Sequence, residues 1–591
     1  MKAPICILTL LCLCLSVQAL TLNNSNPQQN QTQVPITGSI VLMFNQNVSL
    51  SPSQSITLNG QACTPTPAMT YVIIRYSGLE YNHTYHLHVP EGSILSNVDQ
   101  SPNTSFDLYF TTQSKPPVAC KVVDFLVDPG AEPIYGKRGK TIASAIQAMP
   151  TKSASRYYVY IKNGIYNESF QLDDRYQNIS IIGQNKDSVR IRHSMSPVVS
   201  IQGKHLCLEN LSIENTADPN YNQYSIACYA EGKQNIYRNV RFAGHQDTKR
   251  TGGDRHYYKH CEIRGTIDFI YGDGINFYDS CNIYLEKRNQ MMETSQTWDT
   301  AAVIVAGSHD DQATFGYVFN ACQIDGDASN ANRFSLGRPW HNAPRAVYLH
   351  TRFHILPFSY GWTSMGSSPP ALYAEYNSMD AAGNPLDLSQ REARFICGND
   401  TLTGNYQPIL SDEAAQAYNL RNVLSGNDAW KPDVRSQSPD APKLITTNGA
   451  TSQLVWYKDP NCICYLIHRN GQPETFVTDT SYTLESPGTY TVQSIGEYGF
   501  TSPTSEIVHH QPTSTPHIQK ALLQIRWTDH QLILTDPSCA SGVVLLYDLY
   551  GTLLKRIPLL EGMATCRMEQ EGLYLLKYQH HGYKIRLGEI K

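Results

Sequence analysis

A short residue pattern recurs along the middle of the chain, and it limits the possible folds more than any other feature. The pattern is an aromatic residue or Leu, two residues, then Cys, Val, Leu or Thr, one residue, then Ile or Phe. It returns about every 20 to 30 residues, a period typical of solenoids, in which like residues stack on neighbouring coils. The repeats are Leu208/Leu211/Ile213, Tyr237/Val240/Phe242, Tyr258/Cys261/Ile263, Tyr278/Cys281/Ile283, Phe319/Cys322/Ile324 and Tyr348/Thr351/Phe353.

The repeated unit reads as a short strand, and the segments between the repeats lack helical periodicity. We therefore predict a mainly β fold, with a right-handed parallel β-helix over residues 119–432. One helix is expected near its start, from Thr141 to Met149, because Pro150 ends the apolar helical pattern there.

Two aspartates occupy equivalent places in this repeat. Asp247 and Asp268 lie seven residues beyond Val240 and Cys261 respectively. Because neighbouring strands of a parallel stack lie about 4.8 Å apart, the two carboxyl groups are expected to be close together. The sequence therefore predicts a pair of acids on adjacent coils.

The segments around these acids offer further reactive groups. Gln246 places an amide beside Asp247, and Leu336-Gly-Arg-Pro-Trp340 supplies a guanidinium and a flat aromatic surface. Two acids, an amide donor and a cation that keeps one acid ionised suit carboxylate-based hydrolysis of a sugar derivative.

The flanking regions read as separate β-domains. Residues 20–115 show short alternating strands and predict an Ig-like β-sandwich. Residues 445–510 predict a fibronectin-like β-domain. Residues 520–591 predict a C-terminal β-domain that resembles the sorting domains of the type IX export route, with an ordinary accessory β-domain as the alternative.

The N-terminus carries an export signal. Lys2 precedes the apolar run from Ile5 to Val17, and Ala19 completes a small-residue cleavage pattern, so residues 1–19 are interpreted as a cleaved signal peptide. An uncleaved anchor is the alternative, although the run is shorter than the roughly 20 residues that span a bilayer. The protein is expected to be periplasmic, surface-held or secreted, with no membrane span after cleavage.

Charge and cysteine content narrow the possible partners. A net charge of −5 in 591 residues gives no reason to expect a nucleic-acid partner. Cys462 and Cys464 lack a second pair at zinc spacing, so no metal site is expected there. The sequence predicts a protein without a cofactor or a metal. It also predicts a monomer.

Residues 119–432 resemble the pectin methylesterases, a family of β-helical carbohydrate esterases. The resemblance implies hydrolysis of galacturonate methyl esters in methyl-esterified pectin, with release of methanol. The motifs that carry it are Gly164-Ile-Tyr-Asn-Glu168, Gln246-Asp-Thr248, Gly265-Thr-Ile-Asp-Phe-Ile-Tyr-Gly272, Leu336-Gly-Arg-Pro-Trp340, Gly361-Trp362 and Tyr373-Ala-Glu-Tyr376.

The resemblance also implies roles for the site residues. Asp268 is expected to be the nucleophile and Asp247 the general acid and then base. Arg338 is expected to favour the ionised form of Asp268. Gln246 is expected to donate to the oxyanion.

The sequence departs from the family at the second oxyanion donor, which is usually a glutamine from the preceding coil. Counting back from Gln246 reaches Tyr224, while Gln223 is its neighbour. Three alternatives follow. Gln223 is the second donor after a one-residue shift, or the Tyr224 hydroxyl replaces the glutamine amide, or the oxyanion hole has only one side-chain donor. Because a one-residue shift in a strand turns the side chain to the other face, these alternatives differ physically, and Gln223 is preferred.

Substrate-binding residues follow from the same resemblance. Trp340, Tyr271 and Trp362 match positions where aromatic faces pack on sugar rings. Lys249 and Arg250 stand where the family has an aromatic residue, and we expect them to bind free carboxylates of de-esterified polymer.

Two other functions stay open at this level. One is a polysaccharide lyase or glycosidase on the same scaffold, since paired carboxylates also serve glycosidases. The other is a non-catalytic pectin-binding protein, suggested by the altered glutamine position and the accessory β-domains.

Overall fold

The structure is a computed structural model that describes residues 19–218, 224–287, 302–366, 368–428, 430–445, 453–511, 523–537, 541–579 and 581–587. The chain divides into two compact units, one ending at His510 and the other beginning at Gln511. The predicted signal peptide lies almost wholly outside the described residues.

The first unit opens with a β-sandwich. Its main sheets have the strand orders β1-β3-β8-β7 and β2-β11-β9-β5-β6, and β4 pairs with β10. Apolar side chains alternate along its strands, so Ile40, Leu42 and Phe44 of one strand are buried between the sheets. The strands are β1 (Leu22–Asn26), β2 (Gln31–Val34), β3 (Gly38–Phe44), β4 (Val48–Leu50), β5 (Thr57–Leu58), β6 (Gln61–Ala62), β7 (Pro65–Ala68), β8 (Tyr71–Tyr76), β9 (Thr84–Val89), β10 (Ile94–Ser96) and β11 (Phe106–Thr112).

A long parallel stack follows and forms an 18-stranded and a 7-stranded sheet. The second of these has the order β16-β19-β21-β23-β26-β29-β32. The strands are β12 (Phe125–Val127), β13 (Arg138–Gly139), β14 (Tyr157–Ile161), β15 (Gly164–Tyr166), β16 (Phe170–Leu172), β17 (Ile179–Gly183), β18 (Val189–His193), β19 (Val199–Ile201), β20 (Cys207–Asn215), β21 (Cys228–Ala230), β22 (Asn235–Ala243), β23 (Lys249–Thr251), β24 (Arg255–Lys259), β25 (Glu262–Gly265), β26 (Ile270–Gly272), β27 (Ile275–Asp279), β28 (Asn282–Leu285), β29 (Ala302–Gly307), β30 (Tyr317–Asn320), β31 (Gln323–Gly326), β32 (Phe334–Pro339), β33 (Arg345–Leu349), β34 (Arg352–Phe353), β35 (Leu372–Tyr376) and β36 (Met379–Asp380).

This stack confirms the predicted parallel β-helix. The last residue of each repeat pairs with the next, from Phe242 to Ile263 and on to Ile283. The aromatic positions stack with ring centroids 4.4 to 4.8 Å apart, through Tyr237, Tyr258, Tyr278, Phe319 and Tyr348. The cysteines at the repeat positions are buried and free. The sequence repeat is therefore the core of the β-helix.

Short helices and a hairpin complete this region. Helix α1 (Ile142–Ala148) begins after Thr141, whose side chain accepts from the Ser144 amide. Among the described residues of this region, three further helices were not predicted from the sequence: α2 (Asp412–Gln416), α3 (Leu420–Leu424) and α4 (Pro432–Arg435). The region also has 3₁₀ turns at Ala328–Asn330 and Gly426–Asp428 and a hairpin of β37 (Arg394–Cys397) and β38 (Asp400–Thr403).

A second sandwich-like region packs directly on the β-helix. Ile463, Cys464 and Leu466 share a buried cluster with Tyr158 and Tyr160 of the β-helix. Its strands are β39 (Gln453–Val455), β40 (Cys462–Arg469), β41 (Gln472–Val477), β42 (Ser481–Thr483), β43 (Gly488–Gly496), β44 (Thr501–Thr504) and β45 (Val508–His510).

The second unit is antiparallel β, with the orders β46-β47-β50 and β49-β48-β51-β52 around its own apolar core. Among the described residues, none of the helices has the length and apolar character needed to span a bilayer. The strands are β46 (Gln524–Thr528), β47 (Gln531–Thr535), β48 (Gly542–Tyr547), β49 (Leu553–Leu559), β50 (Met563–Arg567), β51 (Gly572–Tyr578) and β52 (His581–Leu587).

Candidate active site

The 7-stranded sheet brings the two aspartates onto adjacent coils. Lys249 of β23 pairs with Ile270 of β26, and each aspartate lies two residues before its strand. The Asp247 amide donates to the Ile267 carbonyl at 3.0 Å, which ties the two loops together. The acids therefore occupy equivalent points of the stack.

Both aspartates adopt the left-handed backbone conformation, with φ of 60° at Asp247 and 50° at Asp268. Residues other than glycine rarely adopt it, and such residues cluster at functional sites. Close packing holds the second loop in place: a Cβ on Gly265 would lie 2.2 Å from Cβ of Phe269. Contacts with neighbouring backbone and side chains thus fix the backbone of the loops that carry Asp247 and Asp268.

Asp268 binds Arg338 through two hydrogen bonds. Arg338 Nε donates to Oδ1 at 2.7 Å and Nη2 donates to Oδ2 at 2.5 Å. Both side chains are buried, with 6% of Arg338 and 8% of Asp268 exposed. Such a two-pronged contact is strong and fixes the carboxylate plane.

Different surroundings give the two acids different proton affinities. Burial raises the pKa of Asp247 to about 7, and the charge of Asp268 adds to the rise; Arg338 and a hydrogen bond from the Gln246 side chain oppose it. The pKa of Asp268 is also raised by burial, and the paired guanidinium of Arg338 opposes that rise. The arrangement favours an ionised Asp268 beside a protonated Asp247 near neutral pH.

The structure describes two of the three residues considered as oxyanion donors, Gln246 and Tyr224. Gln246 forms a parallel bridge with Tyr224 on the preceding coil, and the Tyr224 side chain is half exposed. Tyr224 is therefore the residue in register with Gln246. The preferred Gln223 lies outside the described residues.

An outward-facing row of side chains runs across the sheet beside the acids. Strand pairing aligns Tyr229, Arg250, Tyr271, Ala306 and Arg338 in successive coils. Tyr229 and Ala306 were missed by the sequence analysis, although the strand positions of the row follow from the repeat. Ala306 lies between Tyr271 and Arg338 and adds little side-chain bulk there.

Two of the predicted aromatics lie at this row, Tyr271 as one of its members and Trp340 against Tyr271. The rings of Tyr271 and Trp340 meet edge to face with centroids 5.8 Å apart. Trp362 is different: it is buried and packs on Tyr373 at 4.7 Å and on Tyr348 at 5.8 Å. The expectation that Trp362 faces a sugar is corrected, because the ring is part of the β-helix core.

Lys249 also departs from expectation. Its side chain is fully buried, with Nζ 3.9 Å from the Tyr258 ring centroid and 3.2 Å from the Tyr278 hydroxyl. Burial lowers its pKa to about 7. Because successive strand residues face opposite sides, Lys249 faces the core while Arg250 faces outward. The prediction that Lys249 contacts polymer is wrong for this reason.

Arg250 is held at the surface beside the acids. Its Nη1 lies 3.2 Å from Glu231, and its guanidinium lies over the Tyr229 ring, 5.5 Å from the centroid. With 42% of its side chain exposed, it can contact a ligand in the row. The geometry keeps one of the two predicted cations at the site.

Comparisons with known proteins bear on the identity of these regions. Residues 135–426 match the family model described as Pectinesterase, and residues 16–112 match the model described as Bacterial Ig-like domain.

Two plant proteins are similar to the chain in sequence. The chain is 29% identical over 263 residues to "Probable pectinesterase/pectinesterase inhibitor 13" of Arabidopsis thaliana, a match covering 41% of this chain and 42% of that protein. It is 28% identical over 306 residues to "Pectinesterase 1" of the same organism, covering 49% of each chain. The chain spans less than half the length of these two relatives.

A solved structure, "Pectin methylesterase PemA from Erwinia chrysanthemi", is 23% identical, with a TM-score of 0.43 and coverage of 53% of this chain and 99% of that chain. The family model and the plant relatives point to the same family. Residues 135–426 therefore match the pectinesterase family, over just under half of the 591-residue chain.

Proposed function

We propose that the chain hydrolyses galacturonate methyl esters in pectin, releasing methanol and leaving pectate. The observation that carries the proposal is a pair of acids on adjacent coils in different surroundings: buried Asp268 is bound by Arg338, and half-buried Asp247 has a pKa raised to about 7. The match to the pectinesterase family model and the names of the related pectinesterases support the same chemistry.

In the first step the Asp268 carboxylate attacks the ester carbonyl carbon. A bond forms between its oxygen and that carbon, and negative charge develops on the former carbonyl oxygen. The Gln246 amide donates to this oxygen. Protonated Asp247 transfers its proton to the departing methoxy group, so the carbon–oxygen bond breaks and methanol leaves. The product is an anhydride between Asp268 and the sugar carboxyl group.

In the second step Asp247, now ionised, accepts a proton from water. The resulting hydroxide attacks the acyl carbon, and the bond to Asp268 breaks. The sugar leaves as a carboxylic acid and ionises in water, while Asp268 returns to its carboxylate and Asp247 to its acid form. Arg338 stays paired with Asp268 and keeps it ready for the next turnover.

The outward-facing row supplies the polymer site in this proposal. Tyr271 and Trp340 present aromatic surface to sugar rings. Arg250 binds a free carboxylate on a neighbouring galacturonate, which favours partly de-esterified polymer. Gln223 is proposed as the second oxyanion donor, with the Tyr224 hydroxyl as its rival.

We also propose that the protein is exported, with residues 1–19 as its signal, and acts as a monomer. Residues 520–591 are proposed as a type IX sorting domain or an ordinary accessory β-domain. The export and sorting proposals rest on the sequence patterns described above.

Product analysis of wild-type protein on highly methylated pectin tests the proposed reaction. We expect methanol release with unchanged polymer length. New unsaturated or reducing ends would instead indicate a lyase or glycosidase. Binding of the polymer with no methanol release at any pH would indicate a non-catalytic pectin-binding protein.

A further inference from the structure

Two histidines and an aspartate converge on the outer face of the N-terminal sandwich, far along the chain from the esterase residues. His86 Nε2 lies 2.6 Å and His88 Nδ1 lies 2.8 Å from the same oxygen, Oδ1 of Asp107. The three possible ligand atoms all lie within 4.8 Å of one another. The proposed ester hydrolysis uses none of them.

Strand geometry explains the convergence. In β9 the side chains of Tyr85, Leu87 and Val89 are buried, so His86 and His88 both face outward. Asp107 of β11 is the direct cross-strand partner of His88. It is diagonal to His86, which long side chains can bridge.

The ligand set is held by regular structure. Strand β9 lies inside its sheet, with β11 on one side and β5 on the other. The His86 ring stacks on Tyr109 with centroids 4.6 Å apart and planes 7° from parallel. Sites built on paired strands keep their geometry better than sites on loops.

The donor set matches one class of metal ion. Two imidazole nitrogens and one carboxylate oxygen are typical ligands of Zn²⁺, whereas Ca²⁺ and Mg²⁺ prefer all-oxygen sites. A tetrahedral ion with bonds of about 2.0–2.1 Å holds its ligand atoms about 3.3 Å apart. The two imidazole nitrogens, 2.6 and 2.8 Å from Asp107 Oδ1, would each move away from that oxygen by less than about 1 Å. Each neutral imidazole keeps its proton on the other ring nitrogen and offers a lone pair to the ion.

We propose that His86, His88 and Asp107 form a Zn²⁺ site on the N-terminal sandwich. The three side chains are 39% to 46% exposed, which leaves a fourth position open to water or to an external ligand. The site gives this sandwich a role of its own, independent of the β-helix.

Zinc titration of the untagged full-length chain tests the site, with a competing chromophoric chelator as the readout. Wild type should bind one Zn²⁺ that excess Ca²⁺ or Mg²⁺ does not displace. His88→Gln and Asp107→Asn should each weaken binding at least about tenfold, since each removes one ligand. His83→Gln is the matched control, because His83 belongs to the same sandwich, lies outside the trio and has a similarly exposed side chain (44%); it should leave the affinity unchanged. Unchanged affinity in both ligand variants would overturn the proposal.

X-ray absorption on the zinc-loaded chain separates this site from the cysteines. A shell of nitrogen and oxygen at about 2.0–2.1 Å is expected, whereas thiolate ligands lie at about 2.3 Å. A dominant sulfur shell would overturn the proposal. In the ligand variants, the unfolding midpoint measured without zinc should match that of wild type, and so should the rate of methanol release. The trio is 39% to 46% exposed and lies outside the β-helix, so neither quantity depends on it. If one of the two variants unfolds early, His86→Gln replaces it.

Discussion

At the residue scale, Asp247 and Asp268 have the same side chain but different neighbours. Arg338 holds both oxygens of Asp268, whereas burial and the charge of that carboxylate raise the pKa of Asp247. Proximity of like charges allows only one of the two to ionise easily. The division of labour between nucleophile and acid is therefore a property of the surroundings.

Activity should be lost as pH rises through about 7. Asp247 must be protonated to release methanol, and burial raises its pKa to about 7, so the active form disappears above that value. Protonation of Asp268 should remove activity on the acid side, with apparent values that belong to the coupled pair. The measurement is kcat/KM against pH. An activity that keeps increasing to pH 9 would contradict the assignment of Asp247. The assignment would also be contradicted if the residual activity of Asp247→Asn fell above pH 7 in the same way as that of wild type.

The oxyanion donors should differ in their effects on turnover. Gln246→Ala should lower kcat about 10²- to 10³-fold, since it removes one donor from the developing charge. Gln223→Ala should show a similar loss if Gln223 is the second donor, and Tyr224→Phe should then be nearly neutral. Steady-state methanol release measures all three. The reverse order of the last two would assign the role to the Tyr224 hydroxyl.

At the element scale, strand β23 carries one cation to each side of the sheet. Lys249 lies among the stacked tyrosines and Arg250 lies in the outward row. Burial destabilises the charged form of Lys249 and lowers its pKa to about 7.

Lys249→Met should raise the thermal unfolding midpoint, most clearly below pH 7. The pKa of Lys249 is lower in the folded than in the unfolded protein. The free energy of unfolding therefore rises with pH between about 7 and about 10.4, and the charged lysine destabilises the fold most below pH 7. Replacing buried ion pairs by apolar residues of similar volume can stabilise a protein by roughly 1–4 kcal/mol, and we expect a gain within that range for this single buried charge. Calorimetry at pH 6 and pH 9 checks this.

Arg250→Met is the matched control on the same strand. It should leave the midpoint nearly unchanged while reducing the preference for partly de-esterified pectin over highly methylated pectin. A lower midpoint in Lys249→Met at pH 6 would show that the contacts of the ammonium with Tyr258 outweigh its desolvation. Equal turnover of Arg250→Met on both pectins would remove Arg250 from the polymer site.

The sequence predicted the stack because its period reports which residues enter the core. It also predicted the shared position of the two aspartates, which depends only on repeat length. The direction of Lys249 and the depth of Trp362 were missed, because long amphipathic side chains are common both in cores and on surfaces. The convergence of His86, His88 and Asp107 depends on strand register between distant segments, which the local pattern does not report.

At the scale of the whole molecule, the first unit joins its regions through buried polar contacts as well as apolar ones. Glu209 of the β-helix pairs with Arg238 and accepts from the Thr501 amide at 2.8 Å. The Arg238 guanidinium lies over the Phe500 ring, 4.8 Å from its centroid. The region of β39 to β45 is thus attached to the β-helix through Thr501 and Phe500, which contact a buried ion pair of the β-helix.

Glu209→Ala should loosen this attachment. It leaves Arg238 buried without its carboxylate, which costs about 3–5 kcal/mol. Hydrogen exchange across residues 462–504 should become faster, with a lower unfolding midpoint. Asp173→Ala, which breaks the exposed Asp173–Arg175 pair at 2.7 Å, is the control and should cost no more than about 1 kcal/mol. Unchanged exchange in Glu209→Ala would show that apolar packing alone holds the two regions together.

Methanol release by Asp268→Asn is the most direct test of the central claim that Asp268 is the nucleophile of an esterase. Wild type, Asp268→Asn and the exposed control Asp311→Asn are assayed in parallel on highly methylated pectin. We predict a loss of at least about a thousandfold for Asp268→Asn, since removing a nucleophile abolishes the covalent route, and wild-type activity for the control. An Asp268→Asn variant that is folded and retains a tenth or more of wild-type methanol release would contradict the account.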